Sequence, residues 1–192
     1  MFKQLTLLLS IVHLSSSFNF VTKPQRTQLK NDILELASQT KRGLTATPEE
    51  AEKMNDLFEK LEKLNPNSKP LKSTLVNGNW NLEYTTSDSI LGKGGFPRVG
   101  PIVQKIDTTS LSAENSEVVN YFGFLPVPRK VTAELDPQSD SFTNVKFKRF
   151  TIGPVGFDAP ESFRGALDVT YLDDDLRLSR GDKGNIFVLT RM

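Results

Sequence analysis

The chain lacks cysteine, and its only histidine is His13. Without cysteine there is no disulfide, no thiol nucleophile and no cysteine-ligated zinc. His13 lies in a segment that we expect to be removed, so the mature chain would also lack the base of a Ser-His-Asp triad and a histidine metal ligand. We therefore expect no catalytic residue, no metal site and no cofactor.

A strong net charge is also absent, because 24 Lys and Arg residues face 23 Asp and Glu residues, for a formal net charge of +1. Such a chain has no global field that attracts nucleic acid, and we expect no nucleic-acid partner. Its 192 residues suffice for one domain with a real core. Phenylalanine dominates the aromatic residues, which suits a wide apolar interior or a plain β core equally well.

The apolar run near the start is too short to span a bilayer. It covers about ten residues after Lys3 and is followed by three serines, residues 15–17. This pattern is typical of a secretory signal peptide, which we expect over residues 1–17. An N-terminal core strand or a membrane anchor is the alternative.

Residues 18–31 contain three basic residues and no acidic one. Behind a signal peptide, such a stretch resembles the second part of the plastid-targeting leaders of algae with secondary plastids, in which a phenylalanine at the new N-terminus is typical. Phe18 would take that position. The leader predicts localisation to a plastid through a signal peptide and a transit-like segment, with secretion as the alternative.

Residues 25–66 predict two helices. The first runs from residue 25 to residue 41 and ends at Gly43. The second begins with Thr47 as the N-cap, Pro48 in the first turn and Glu50 completing a capping box. The pair either packs on the rest of the protein or lies on a lipid surface. The acid-rich polar face of the second helix favours packing.

From Gly78 on, the sequence predicts strands. Trp80, Leu82 and Tyr84 alternate with polar residues, which is the period of a half-buried strand. Further strands are predicted over residues 102–108, 117–124, 129–135, 142–152, 163–172, 176–180 and 186–191. The strand over 142–152 should contain a bulge, because its apolar parity shifts between Phe147 and Phe150.

About eight short strands without intervening helices predict a mainly β protein, an antiparallel barrel over residues 75–192 preceded by the helix pair over 25–66. Residues 25–192 would form one domain. The prolines at 125–128 should interrupt the strand, and 153–161 should be a loop. Residues 88–98 are either a lid over the barrel mouth or a plain connector. Residues 173–175, three aspartates, are read as a tight turn rather than a cation site.

The Gly78-Asn79-Trp80 motif opening this run resembles the start of lipocalin-type barrels. The resemblance implies that Trp80 plugs the closed end of the barrel, and that a basic residue late in the chain, Arg180 or Arg191, stacks on it. Asp182 is expected to cap the hairpin over residues 181–185. We expect Arg180 to pack on the barrel end rather than contact a ligand.

The whole pattern resembles the plastid lipid-associated proteins, also called plastid fibrillins. The residues that carry the resemblance are 42–44, 61–66, 77–80, Leu82, 84–87, the Phe-Gly-Phe region at Phe122, 171–173 and 176–189. It implies a lipocalin-like barrel in a plastid, associated with plastoglobules or thylakoid membranes and binding or organising carotenoids, quinones or acyl lipids. It implies no catalytic residues.

The leading hypothesis is therefore a non-enzymatic binding protein for apolar molecules or lipids. Six inward aromatic residues are expected to line its cavity: Tyr84, Tyr121, Phe147, Phe163, Tyr171 and Phe187. The alternatives are a structural coat on lipid globules with a solid barrel, and an enzyme acting on lipids with carboxylates, Lys, Tyr or Ser alone.

Overall fold

The computed structural model describes the backbone of residues 14–192 and the side chains of residues 23–192. Two helices, α1 (Leu14–Gln39) and α2 (Pro48–Glu62), come before the strands, and a short helix, α3 (Asp88–Leu91), lies between the first two strands. Most of the predicted signal peptide, residues 1–13, lies outside the described residues. Helix α1 begins earlier than predicted and continues through Pro24.

Nine strands follow: β1 (Gly78–Thr85), β2 (Arg98–Asp107), β3 (Ser112–Tyr121), β4 (Leu125–Pro137), β5 (Phe142–Ile152), β6 (Val155–Asp158), β7 (Arg164–Leu172), β8 (Leu176–Gly181) and β9 (Ile186–Arg191). Eight of them form a closed antiparallel ring in the order β1-β2-β3-β4-β5-β7-β8-β9, and β9 pairs back to β1. Strand β6 pairs with the last residues of β5. The predicted eight-stranded antiparallel barrel after two helices is confirmed.

The barrel has one closed end and one open end, here called the mouth. The closed end holds the start of β1, the end of β9 and the turns β2–β3, β4–β5 and β7–β8. Two 3₁₀ turns in the segment before β1 cover it, and their Val76 is fully buried. The mouth holds the hairpin turns β3–β4 and β8–β9, together with α3 and β6.

The helix pair packs on the outer face of β1, β7, β8 and β9. Helix α2 starts as predicted, since the Glu50 amide donates to Thr47 Oγ1 at 3.2 Å and the Thr47 amide donates to the Glu50 carboxylate at 2.8 Å. Gly43, in the turn between the helices, has φ +95°, and a Cβ there would lie 2.6 Å from the Thr85 carbonyl oxygen. Only glycine allows this turn to approach β1 so closely.

Two predictions about the strands on one side of the barrel are wrong. The prolines at 125–128 do not interrupt the strand structure. They lie inside β4, where Pro126 pairs with Asn120 and Pro128 pairs with Val118. The Pro128 carbonyl oxygen accepts from the Gly153 amide, on the side of β4 away from β3. Because the nitrogen and carbonyl of a strand residue point to the same side, the Pro128 nitrogen, which has no hydrogen, also points away from β3. The predicted loop over 153–161 contains β6, which follows β5 in a tight hairpin.

Three bulges change which side chains face the interior. The predicted bulge in β5 is confirmed, since Arg149 pairs with Thr132 but Phe147 pairs with Ala133. The other two lie in β1, between Leu82 and Tyr84, and in β7, between Val169 and Tyr171. Each extra residue reverses the alternation of the side chains that follow it.

A side chain from the helical region supports the bulge in β7. Asn65 Nδ2 donates to the carbonyl oxygen of the bulged Thr170 at 2.8 Å, and the Leu172 amide donates to Asn65 Oδ1 at 3.2 Å. One amide side chain therefore pairs two backbone groups that an irregular strand would otherwise leave without partners. This contact fixes the end of α2 to the barrel at the bulge.

Candidate ligand-binding cavity

A cavity of about 710 Å³ occupies the barrel interior and opens at the mouth. This volume falls within the range of pockets that hold one small ligand. Its wall is mostly apolar, with contributions from Leu82, Ile102, Ile106, Ala133, Leu135, Val145, Phe147, Phe150, Phe187 and Leu189.

Four of the five phenylalanines that line the cavity form an aromatic cluster near the mouth. The bulge in β5 allows both Phe147 and Phe150 to face the interior, with ring centroids 6.4 Å apart. Phe157 on β6 stacks on Phe150 at 5.6 Å, and Phe163 meets the same ring edge-on at 5.8 Å. Phe157 and Phe163 are about half exposed, so the aromatic wall continues from the cavity to the protein surface.

Charged residues hold the opposite side of the mouth together. Arg98 Nε donates to Glu117 Oε2 at 3.0 Å, and Arg129 lies 3.6 Å from the other Glu117 oxygen. Arg98 also donates to the carbonyl oxygen of Ser89 at 3.2 Å, next to the start of α3. The segment over residues 88–98 is thereby attached to β2 and β3 beside the cavity.

Trp80 lies at the closed end of the barrel, fully buried. Its indole N–H donates to the Val76 carbonyl oxygen at 2.9 Å. Arg191 lies over the ring at 4.3 Å from the centroid, and Arg177 lies at 5.0 Å. Arg191 also donates to the carbonyl oxygens of Asn77, at 3.1 Å, and Asp174, at 2.7 Å. The tryptophan and the two arginines thus join β1, β8, β9 and the segment before β1.

Arg177 borders the cavity from below and has no solvent-accessible surface. Its Nη2 donates to Gln104 Oε1, and Gln104 Nε2 donates in turn to Asn115 Oδ1 at 2.9 Å. Nε and Nη1 have no hydrogen-bond partner among the described residues. Burial, with a smaller contribution from the nearby Arg191 charge, lowers the pKa of Arg177 to about 9, so the guanidinium stays charged at neutral pH.

Three of the six aromatic residues predicted for the cavity lie there: Phe147, Phe163 and Phe187. The prediction that Tyr84 and Tyr171 face inward is wrong. Both are buried in the outer core under the helices, because the bulges in β1 and β7 reverse the alternation just before them.

Tyr121 was also predicted to face the cavity, and the structure places it outside. It packs on Phe96, with ring centroids 4.6 Å apart, in an aromatic cluster at the β3–β4 turn. It is the last residue of β3, so its side chain lies beyond the cavity wall.

Arg180 does not pack on the closed end of the barrel. It lies at the other end of β8, on the outer face, where its guanidinium stands 5.0 Å over the Phe58 ring. It forms two hydrogen bonds of 2.8 and 2.7 Å with Glu62 of α2.

Asp182 lies in the β8–β9 turn and borders the mouth. Gly78 has φ +120°, and a Cβ there would lie 3.2 Å from Arg191.

Arg177 was not among the residues predicted from the sequence to form the site. Strand β8 alternates, but the usual assignment places its leucines inward and its arginines in solvent. Here the outer face is covered by helices, so Leu176 and Leu178 face outward and are still buried. The alternation marks the correct period without indicating which face is the interior.

The family model described as PAP_fibrillin matches residues 27–190 of this chain. The chain belongs to the PAP_fibrillin family. It is 37% identical over 172 residues to probable plastid-lipid-associated protein 5, chloroplastic, of Arabidopsis thaliana, covering 88% of this chain and 70% of that protein. The predicted resemblance to the plastid fibrillins is confirmed.

Two other relatives extend the comparison. The chain is 30% identical to the light-induced protein, chloroplastic, of Solanum tuberosum, over 85% of this chain and 67% of the relative. It is 27% identical to the chromoplast-specific carotenoid-associated protein C1 of an Oncidium hybrid cultivar, over 86% of this chain and 69% of the relative. No solved structure matches the chain significantly. The PAP_fibrillin match spans most of the helix pair, the cavity and Arg177 below it, and it ends one residue before Arg191.

In the described part of this PAP_fibrillin chain, no helix combines the length and apolar character needed to cross a membrane. Residues 23–192 also contain no cluster of three or more acidic or histidine side chains that could hold a metal ion. The three aspartates at 173–175 form the β7–β8 turn, where Asp173 accepts from the Tyr171 hydroxyl at 2.5 Å and from Lys30 at 2.9 Å.

Proposed function

We propose that this member of the PAP_fibrillin family is a non-enzymatic protein that binds an apolar plastid metabolite inside its barrel. Carotenoids, quinones and acyl lipids are the candidate ligands. The cavity of about 710 Å³ with its apolar, aromatic wall is the observation that carries the proposal. Burying apolar ligand surface contributes about 25 cal/mol per Å², so a few hundred Å² suffices for roughly micromolar affinity after the costs of association.

The names of the relatives support this proposal, because they are called lipid-associated or carotenoid-associated proteins of chloroplasts and chromoplasts. We propose the same compartment here, reached through the signal peptide over residues 1–17 and the transit-like segment over 18–31. Leu29 and Lys30 pack against the barrel, which favours removal of the leader before Leu29, with the last residues of the 18–31 segment retained in the mature protein. N-terminal sequencing of the mature protein tests this, and a mature chain that still begins at Met1 would contradict it.

An uncharged fluorescent lipid tests binding in the cavity. The methyl ester of cis-parinaric acid should bind the wild-type protein, and Ala133→Phe should abolish binding, because Ala133 is a buried wall residue. Thr132→Phe is the matched control, since Thr132 is the neighbouring residue on β4 and does not line the cavity. If the ester binds both variants equally, or if neither the ester nor its free acid binds the wild type, the ligand does not occupy the barrel.

A second function, docking on a lipid surface, is favoured by the exposed aromatic residues at the mouth. In the β3–β4 turn, Phe122 is 70% exposed and Phe124 is 78% exposed. Phe96 packs against Phe122 with ring centroids 5.2 Å apart, which makes a continuous apolar patch. Exposed patches of this kind mark interaction sites. We propose that this turn inserts into the surface of a plastoglobule or thylakoid membrane, with the cavity opening toward the lipid.

The backbone at Phe122 supplies a specific test of docking. Phe122 has φ +56°, a conformation that costs a bulky residue about 1–2 kcal/mol and that asparagine tolerates. Phe122→Asn should therefore stabilise the protein and reduce its flotation with triolein droplets coated with phosphatidylcholine. Leu111→Asn is the matched control, because Leu111 has φ +49° and is 42% exposed but lies at the closed end. Equal flotation of both variants would overturn docking through this turn.

A further inference from the structure

Arg177 is a buried charge that the barrel does not neutralise. No ion pair among residues 23–192 includes Arg177 or its neighbour Arg191. Arg191 satisfies its donors with backbone carbonyl oxygens, whereas Arg177 has two nitrogens without partners. A buried cation without an anionic partner is costly, and buried charges are ordinarily paired.

The position of Arg177 relates this charge to the cavity. Its side chain enters the barrel from β8 and forms part of the cavity boundary, together with Gln104 and Asn115. The wall between these residues and the mouth is mostly apolar. A ligand with a negatively charged end and a long apolar remainder would therefore meet an unpaired cation and an apolar wall when its charged end lies deepest in the cavity.

We infer that Arg177 is the binding site for the anionic head of the ligand, a carboxylate at the end of an apolar chain that runs from there toward the mouth. This inference rests on the proposed binding in the cavity and narrows the ligand to ionised acyl lipids. It also explains why an uncompensated guanidinium lies under an apolar cavity, since the bound head supplies the missing charge.

The hydrogen bonds of Gln104 show how the head would reach Arg177. Arg177 Nη2 donates to Gln104 Oε1. This nitrogen belongs to both edges of the guanidinium that can bind a carboxylate, the Nε–Nη2 edge and the Nη1–Nη2 edge. A carboxylate that replaces this amide oxygen accepts from Nη2 together with Nε or Nη1. Arg180 forms such a pair with Glu62 through Nε and Nη2. Gln104 is only half-buried and borders the cavity, so its side chain can move aside.

Fluorescence titration with cis-parinaric acid and its methyl ester at pH 8 tests the inference, because the two probes share the same polyene chain and differ in the charge of the head and by one methyl group. The wild type should bind the acid about tenfold or more tightly than the ester. Arg177→Met should bind both equally. Gln104→Ala should increase the preference for the acid, since the amide oxygen no longer competes for Nη2. Circular dichroism establishes that the variants are folded.

Each other outcome has a distinct meaning. Equal affinities in the wild type overturn the carboxylate site and leave binding in the cavity standing, whereas no binding of either probe overturns the proposed function itself. A preference for the acid that survives Arg177→Met would place the head at the cations of the mouth, such as Arg98 and Arg129, and overturn the inference. If Arg177→Met does not fold, Gln104→Ala is the deciding variant. An unchanged or reduced preference of that variant for the acid over the ester overturns the inference.

Discussion

Replacing Trp80 with alanine should be among the most destabilising single substitutions in this protein. Truncation of a buried tryptophan costs about 3–5 kcal/mol in a core that relaxes only partly. The Val76 carbonyl oxygen would lose the 2.9 Å hydrogen bond from the indole, which adds about 1 kcal/mol. Arg177 and Arg191 would each lose the aromatic ring that they lie over. We expect the free energy of unfolding to fall by about 4–6 kcal/mol.

The assay has to avoid intrinsic fluorescence, because Trp80 is the only tryptophan. Thermal unfolding followed by far-UV circular dichroism should show a decrease in Tm of about 10–20 °C, since each kcal/mol shifts Tm by about 2–4 °C in a domain of this size. Trp80→Phe is the control. It keeps an aromatic face for Arg191 and loses the indole N–H, so we expect a loss of only about 2 kcal/mol.

A small effect would refute the role of Trp80 in closing the barrel. If Trp80→Ala lowers Tm by less than about 3 °C, the closed end is held by the segment before β1 rather than by the tryptophan. If the same variant loses affinity for the cis-parinaric methyl ester, Trp80 belongs to the ligand site instead.

Three further predictions concern the connections around the barrel. Hydrogen bonds outweigh burial and lower the pKa of Asp173 to about 2, so its carboxylate stabilises the fold above about pH 4 and this contribution disappears as the pH falls toward 2. In urea unfolding, the free energy of unfolding of the wild type should fall between pH 4 and pH 2 as this contribution is lost. Asp173→Asn should reduce that fall by on the order of 1 kcal/mol after solvent screening. Glu62→Ala should cost about 1–2 kcal/mol in urea unfolding, because Arg180 loses both hydrogen bonds to α2; an unchanged midpoint would contradict this. Gly78→Ala should lower Tm by a few degrees, since alanine is strained at φ +120° and its Cβ would meet Arg191.

Patterns that depend on a few neighbouring residues were sufficient to predict most of the fold. Thr47, Pro48 and Glu50 form the capping box that their spacing predicts. The run of short alternating segments predicts the closed barrel. The parity shift between Phe147 and Phe150 even predicts the bulge in β5. These features were predictable because local geometry determines each of them.

The direction of the side chains was harder to predict than the strands. The bulges at β1 and β7 leave no parity shift that a sequence pattern can detect, because residues on both sides of each bulge are apolar. The helix pair adds a second difficulty, since it buries the outer face of β8, and a buried leucine there does not mark the interior. Tyr84, Tyr171 and Arg177 were all misassigned or missed for these two reasons.

The same two bulges explain how one barrel can both hold the helices and keep an open interior. Had β1 and β7 remained regular, Tyr84 and Tyr171 would point into the barrel and occupy part of the space that is now cavity. The extra residues instead turn both rings outward, where they form part of the core beneath α1 and α2. Because Asn65 pairs the backbone of the bulge in β7, the helical segment itself stabilises the irregularity that its packing requires. Loss of that contact, as in Asn65→Ala, should therefore weaken helix packing and reduce ligand affinity together, although Asn65 touches neither the ligand cavity nor the helix core.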